Sequence, residues 1–407
     1  MGRTASSTSE DRAFDLLVAC ADWPRSEQRN AVILERYEAY ADLGGGWKPF
    51  LLLVKHHQLS MLVADALTGA GIEAPDRFGV ITERQKMLAL SLSGEAVRTV
   101  EALGQAGIEA ITLKGPLLSQ TLYGDPTMRQ SVDLDLLVDW SDFRAARQVL
   151  ASHGYQLMSN EPPWDDWRID HWRRLAKDIM LFQPERQIAL ELHHRLKSPA
   201  TLLPGLGNAQ ATETVELAGR QLRTFRREDV FVYLCVHAAT SFWNRLKWLA
   251  DIRALLAGLD VGEIARLQAH SEGLATGRCT ALGLILCHRL WGQALPPEIL
   301  EQPARDTQLA ALENASMERL RGPERGPSAI GNSLDRRHLV HLRDDPAYRR
   351  SQAAEFIYDN ELLEEYRIPQ ALRFLYLPLR IMMFVQRKLG LRHNPARIAL
   401  KRAAERT

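Results

Sequence analysis

Cysteine is scarce in this chain, with only Cys20, Cys235, Cys279 and Cys287 among 407 residues. None of the four forms a C-x-x-C pair and each lies in an apolar stretch of helical spacing, which points to reduced core thiols. Net charge is equally scarce: 51 Lys and Arg against 50 Asp and Glu leave a formal charge of +1. The chain as a whole therefore does not advertise nucleic-acid or membrane binding, and any such partner must use a local patch. Long apolar runs are missing too. The opening MGRTASSTSEDR has no apolar signal-peptide core, and the most apolar late segment, Phe374 to Val385, is broken by Pro378 and Arg380. Neither a secretory signal nor a transmembrane segment is expected, and the expected compartment is the cytoplasm. Gly2 and Ser6 fit the M-G-x-x-x-[ST] acylation pattern, which is too degenerate to carry weight.

What the chain has is core material and a change of pattern along its length. Hydrophobic residues make up 46% and charged residues 25%, an ordinary globular composition, and at about 150 residues per domain the length calls for more than one structural unit. Residues 1–107 repeat apolar side chains at three and four and read as a helical N-terminal region. Residues 108–226 read as an α/β core: IEAITL and SVDLDLLVD are strand candidates, a helix follows, then strand GYQLM. Lys177–Phe182 and Ile188–His193 flank the turn-like QPERQ as an antiparallel hairpin. Residues 227–320 return to helical spacing, 321–350 have the Gly, Pro and charge content of a linker or surface loop, and 351–407 form C-terminal helices with a basic tail. The expected class is α+β, a small mixed sheet flanked by helical regions.

The stretch ITLKGPLLSQTLYGDPTMRQSVDLDLLVD carries the most chemistry. Strand alternation puts Asp133 and Asp135 on one face while Leu134, Leu136 and Val138 point to a core. Two like charges so close repel unless a cation sits between them, and a hard divalent ion is the natural occupant. In IALELHHRL the same period aligns Ala189, Glu191 and His193 on one face. Three carboxylates, two from D-x-D and one from a neighbouring strand, suit metal-assisted in-line displacement at phosphorus, with the third able to accept the proton of an attacking hydroxyl.

This ordered series closely resembles the large bacterial branch of nucleotidyltransferase family proteins within the polymerase β-type superfamily. The motifs are LKG, LYGD, R-x-x-x-D-x-D-L-L-V and HGY over residues 113–155, ELHH at 191–194, the helical VHAATSFWNRLKWLADI, and LYLPLR at 375–380. The resemblance implies a metal-dependent enzyme (EC 2.7.7 type) that transfers a nucleoside monophosphate from an NTP to an acceptor hydroxyl. Asp133, Asp135 and Glu191 would bind the catalytic Mg²⁺ or Mn²⁺, and Gly115 would lie against the nucleotide phosphates. The superfamily usually follows that glycine with Gly or Ser, whereas Pro116 stands here, so Lys114 or Arg129 would supply the missing contact as a cation. Relatives found with peptide-natural-product and polysaccharide genes make a peptide or sugar acceptor conceivable, and the acceptor itself is unknown.

Further candidates accompany these. Adjacent strand residues face opposite sides, so at most one of His193 and His194 reaches the site, and His194 is expected to be structural. His237, Lys247 and Asp251 either converge on substrate or form a polar network that joins two helices. EPPWDDWRIDHW, residues 161–172, is expected to be a binding loop over the acceptor, with His171 as a member. From Arg367 to Thr407 ten Lys and Arg stand against Glu405 alone. A basic amphipathic helix can bind a membrane surface or nucleic acid; the favoured expectation there is a packed helix with solvated arginines and a frayed end, and nucleic acid is a partner not favoured. Two other function classes remain beside the enzyme: a non-catalytic binding protein of the same fold, and a nucleic-acid-modifying transferase that uses the basic tail.

Overall fold

The structure is a computed structural model that describes residues 8–158, 161–164, 167–207, 210, 212–322, 338–357 and 368–388. Two compact units divide the chain, and neither is one continuous segment. The first comprises Met1–Glu101, Ile111–Leu134 and Ala209–Arg343; the second comprises Ala102–Ala110, Asp135–Asn208 and Asp344–Thr407.

The first unit is mostly helical. Its N-terminal helix Ser9–Cys20 starts on a capping box in which Thr8 and Asp11 satisfy each other's backbone N–H groups, and helix Val261–Gly273 does the same through Asp260 and Glu263. Its core is built on helices Arg227–Thr240, Leu246–Leu255 and Gly277–Trp291, which bury Phe231, Cys235, Leu249, Ile252, Cys279 and Leu284. Gly283 lets two of them approach: a Cβ there would lie 3.0 Å from both Cys235 Sγ and Trp243 Cη2. All four cysteines are buried and none is in a disulfide, as the spacing suggests.

Strands β1 (Ile111–Thr112), β2 (Asp133–Leu137), β3 (Gln156–Leu157), β4 (Asp178–Gln183) and β5 (Ile188–His193) form a mixed sheet of order β1-β2-β5-β4-β3. Strand β2 is where the chain passes from the first unit to the second. IEAITL pairs over only two residues, because the chain leaves the ladder at Lys114 and turns at Gly115, whose φ of +73° is easy only for glycine. The β4–β5 hairpin is antiparallel with Asp178 opposite His193 and Met180 opposite Glu191. Ile179, Leu181, Ile188, Leu190 and Leu192 cover its buried face, so the polar residues share the other. The sheet and its flanking helices make this an α+β fold.

A second hairpin, β6 (Thr212–Leu217) with β7 (Arg220–Phe225), belongs to the first unit. The sequence reading leaves it unmarked. Its two-residue turn places Ala218 at φ +50° and Gly219 at φ +78°, the geometry of a type I′ turn, where asparagine is the common first residue.

The expectation of an open aromatic loop at 161–172 is corrected. Residues Ile169–Leu175 form a helix, and Trp172 is buried against Trp140, Phe143 and His194. Trp164 lies tilted beside Trp140 and Phe143 and donates its indole N–H to Glu161 at 2.8 Å. Aromatic area in this segment is spent on packing. Residues 165 and 166 of the segment lie outside the described residues, as do 323–337 of the expected linker and 389–407 of the basic tail.

Candidate functional site

Strands β2, β4 and β5 of the second unit bring a charged cluster together. The backbone N–H of Val138 donates to the His193 carbonyl at 3.0 Å, which ties the end of β2 to the end of β5 and sets Asp135 beside His193. His193 Nε2 lies 3.2 Å from Asp135 Oδ1 and 3.2 Å from Glu191 Oε2. From β4, Asp178 reaches the other ring nitrogen at 3.7 Å. Lys177 sits next to it, bonded to the Asp178 carboxylate and donating to Glu191 Oε2 at 3.1 Å. Asp135 and His193 are buried, whereas Glu191 and Asp178 are about one-fifth exposed along the side chain.

Burial and the Lys177 ammonium both oppose a charged His193. The hydrogen bonds to Asp135 and Glu191 and the Asp178 charge outweigh them, so the imidazole pKa is raised above its ordinary value. Burial also raises the Asp178 carboxyl, with the Glu191 charge adding to it. His194 has the opposite surroundings. Burial, the Arg195 charge and neighbouring cations push it down to about 3 although Nε2 lies 3.0 Å from the Ala176 carbonyl, so it is a neutral packing residue.

Asp135, Glu191 and His193 offer oxygen and nitrogen ligand atoms that all lie within 4.8 Å of one another. Two carboxylates and an imidazole form a donor set that could hold a divalent cation. Asp133 is half-buried at the head of β2, on the same strand face as Asp135 by alternation, and belongs to the first unit. The sequence places Lys177 and Asp178 in a hairpin strand but does not mark them as site residues. Extending the hairpin from its QPERQ turn would have placed Asp178 opposite His193, since antiparallel register fixes the pairs.

The first unit holds most of the remaining candidates. Lys114 precedes helix Gly115–Tyr123, with its ammonium 5.8 Å from the centre of the Tyr233 ring. Gly115 packs against β2; a Cβ would meet the Asp133 carbonyl at 3.7 Å. Arg129 is buried and engaged: Nε donates to Asp251 Oδ2 at 2.8 Å and Nη1 to Ser131 Oγ at 3.1 Å. Asp251 also accepts the Tyr123 hydroxyl at 3.1 Å. The same arginine thus holds helix Leu246–Leu255 to the segment before β2, and its guanidinium is committed to a carboxylate. Lys247 donates to the Gln130 carbonyl at 3.3 Å. Burial and the Arg129 charge lower its pKa to about 7, against the opposing pull of Asp251 and Asp133. His237 stands edge-on to Trp248 at 5.5 Å and beside Tyr233 at 6.1 Å. In the second unit, His171 packs edge-on to Trp167 at 5.4 Å, and burial with the Arg174 and Arg373 charges lowers its pKa. A cavity of about 1050 Å³ at the start of helix Asp76–Gln105 is lined by Leu67, Ile72, Phe78 and Met87, and none of the candidate residues borders it.

No curated protein matches this sequence. A family model described as uncharacterised nucleotidyltransferase matches residues 44–292, more than half of the chain, and its span includes LKG, D-x-D and the β4–β5 hairpin with Glu191 and His193. The chain belongs to this nucleotidyltransferase family.

Proposed function

We propose that the protein transfers a nucleoside monophosphate from an NTP to the hydroxyl of an acceptor and releases pyrophosphate. The observation that carries this reading is the convergence of Asp135, Glu191 and His193 on one face of a mixed sheet, in a chain of the nucleotidyltransferase family. Asp135 and Glu191, with Asp133 two residues earlier on the same strand face, are the proposed metal carboxylates, and His193 joins them as a nitrogen donor. A bound Mn²⁺ or Mg²⁺ would supply neutralisation of phosphate charge. Glu191, more exposed than Asp135, is the proposed acceptor of the hydroxyl proton. In the proposed step the acceptor oxygen bonds to the α-phosphorus, the bond from that phosphorus to the pyrophosphate oxygen breaks, and the pair on that bond leaves with pyrophosphate. Lys114 and Gly115, at a strand-to-helix turn whose backbone amides favour anions, are the proposed phosphate contacts. Arg129 is left out because Asp251 holds it.

The test is pyrophosphate release from each of the four NTPs with Mn²⁺ or Mg²⁺, with cell extract fractions as acceptor source. Incorporation of label from an α-phosphate-labelled NTP, absent in Asp135→Asn, supports the reading. No incorporation with any nucleotide and no NTP-dependent rise in melting temperature would overturn it and assign the fold to a non-catalytic protein that binds another partner.

A further inference from the structure

The C-terminal helix Tyr376–Lys388 is apolar on two sides. Tyr376 and Met383 are buried and pack with Trp167, Leu175, Ile368 and Leu379, which is the stripe expected of a helix laid on a core. Its opposite side carries Leu377, Ile381 and Val385, spaced at four, with Met382 beside them. They are 45%, 58%, 47% and 40% exposed. The preceding turn, Gln370–Leu375, adds Leu372 at 43% and Phe374 at 67%. Among the described residues nothing covers this row. An exposed apolar ridge of six residues is unusual for a surface that has no partner.

Charge identifies the partner. From Arg367 to Thr407 the sequence holds ten Lys and Arg and one acid, a local excess of nine positive charges in a chain whose total is +1. Arg373 and Arg380 stand within the ridge itself. We propose that this face docks on an anionic lipid bilayer surface, with the aliphatic and phenyl side chains entering the headgroup boundary and Arg373 and Arg380 facing lipid phosphates. Such a surface accepts both halves of the ridge at once. A nucleic acid would take the cations and leave the aliphatic row in water, and a second copy of the chain would bring nine more positive charges to the contact. No helix of the described residues is long and apolar enough to cross a membrane, so this contact is peripheral.

The experiment is co-sedimentation of the full chain with phosphatidylcholine vesicles, with and without phosphatidylglycerol. Binding is expected only with phosphatidylglycerol, weakened by salt, and reduced at least about tenfold in Ile381→Glu and in Phe374→Ser. Both positions are exposed, so melting temperature and circular dichroism should match the parent and report intact folding. Four outcomes overturn the proposal: no binding to anionic vesicles, equal binding to neutral ones, unchanged binding in both variants, or duplex DNA or RNA competing away vesicle binding that both variants retain. A concentration-dependent dimer that both variants abolish, without vesicle binding, assigns the ridge to self-association and also overturns it. Nucleotide transfer has no part in the readout, so failure here leaves the catalytic reading standing, and the reverse.

Discussion

His193 Nε2 lies 3.2 Å from Asp135 Oδ1, in an environment that closes off both side chains from water. A raised imidazole pKa beside a buried carboxylate means that each group depends on the other's charge. Asp135→Asn is therefore expected to lower the melting temperature of the metal-free protein as well as abolish nucleotide transfer. The amide keeps the shape but leaves a buried imidazole short of its charged acceptor, a loss of about 1–3 kcal/mol. Mutual repulsion of Asp133 and Asp135 alone would make the variant more stable, so thermal unfolding in chelator decides whether the histidine or the neighbouring acid dominates.

Imidazole nitrogen suits Mn²⁺ better than Mg²⁺, which prefers oxygen donors. Calorimetric titration of the parent should therefore give tighter binding of Mn²⁺ than of Mg²⁺. His193→Ala should cost about tenfold in Mn²⁺ affinity, or roughly 1.4 kcal/mol, with a much smaller change for Mg²⁺. Equal losses for both ions would place His193 outside the ligand set.

Lys177 occupies by its charge the role a divalent ion would take, since it contacts both Asp178 and Glu191. Lys177→Met should raise divalent-cation affinity, by about tenfold, because the competing ammonium is gone. The metal-free variant should melt lower than the parent, since the Asp178 and Glu191 charges lose their common partner. Weaker metal binding in Lys177→Met would mean instead that the lysine organises the carboxylates for the ion.

Strand alternation alone makes Asp133, Asp135 and Glu191 legible, because a half-exposed strand displays a two-residue period. It cannot show Lys177 and Asp178 as members of the cluster, since that follows from hairpin register and not from the composition of either strand. The tryptophans of 161–172 mislead for a different reason: flanking charges make the segment read as surface, yet Trp172 finds a buried partner in Phe143, 29 residues earlier in the chain, and no local pattern signals that pairing. The two sides of helix Tyr376–Lys388 are equally opaque, because apolar residues that face a core and those that face outward have the same identity in the sequence.

The β6–β7 hairpin escaped the sequence reading because its turn opens with Ala218, a residue that rarely adopts φ +50°. Ala218→Asn should stabilise the protein by about 0.5–1 kcal/mol, as asparagine tolerates the left-handed region that a type I′ turn demands. The side chain is exposed, so no packing change offsets the gain. Denaturant unfolding at constant slope measures it; a decrease in stability would show that the turn does not hold this geometry in solution.

Lys247 gives the protein a pH dependence with a defined sign. Its folded pKa is about 7 against 10.5 for an ordinary lysine, and burial with the Arg129 charge is the cause. Between those two values the unfolded chain binds a proton that the folded chain has released, so unfolding free energy rises with pH across this window. His193 contributes the other way: its raised pKa stabilises the fold below about pH 6.5, and that contribution fades as pH climbs through the folded value. The two windows are separable by mutation. Lys247→Met keeps the stem and removes the titration, so its stability should stay level between about pH 7 and pH 10 where the parent's rises. Its hydrogen bond to the Gln130 carbonyl is lost as well, which shifts the whole curve by a constant and leaves its slope as the readout. A Lys247→Met variant whose stability climbs with pH as steeply as the parent's would mean that the lysine stays charged in the folded state, held by Asp251 and Asp133.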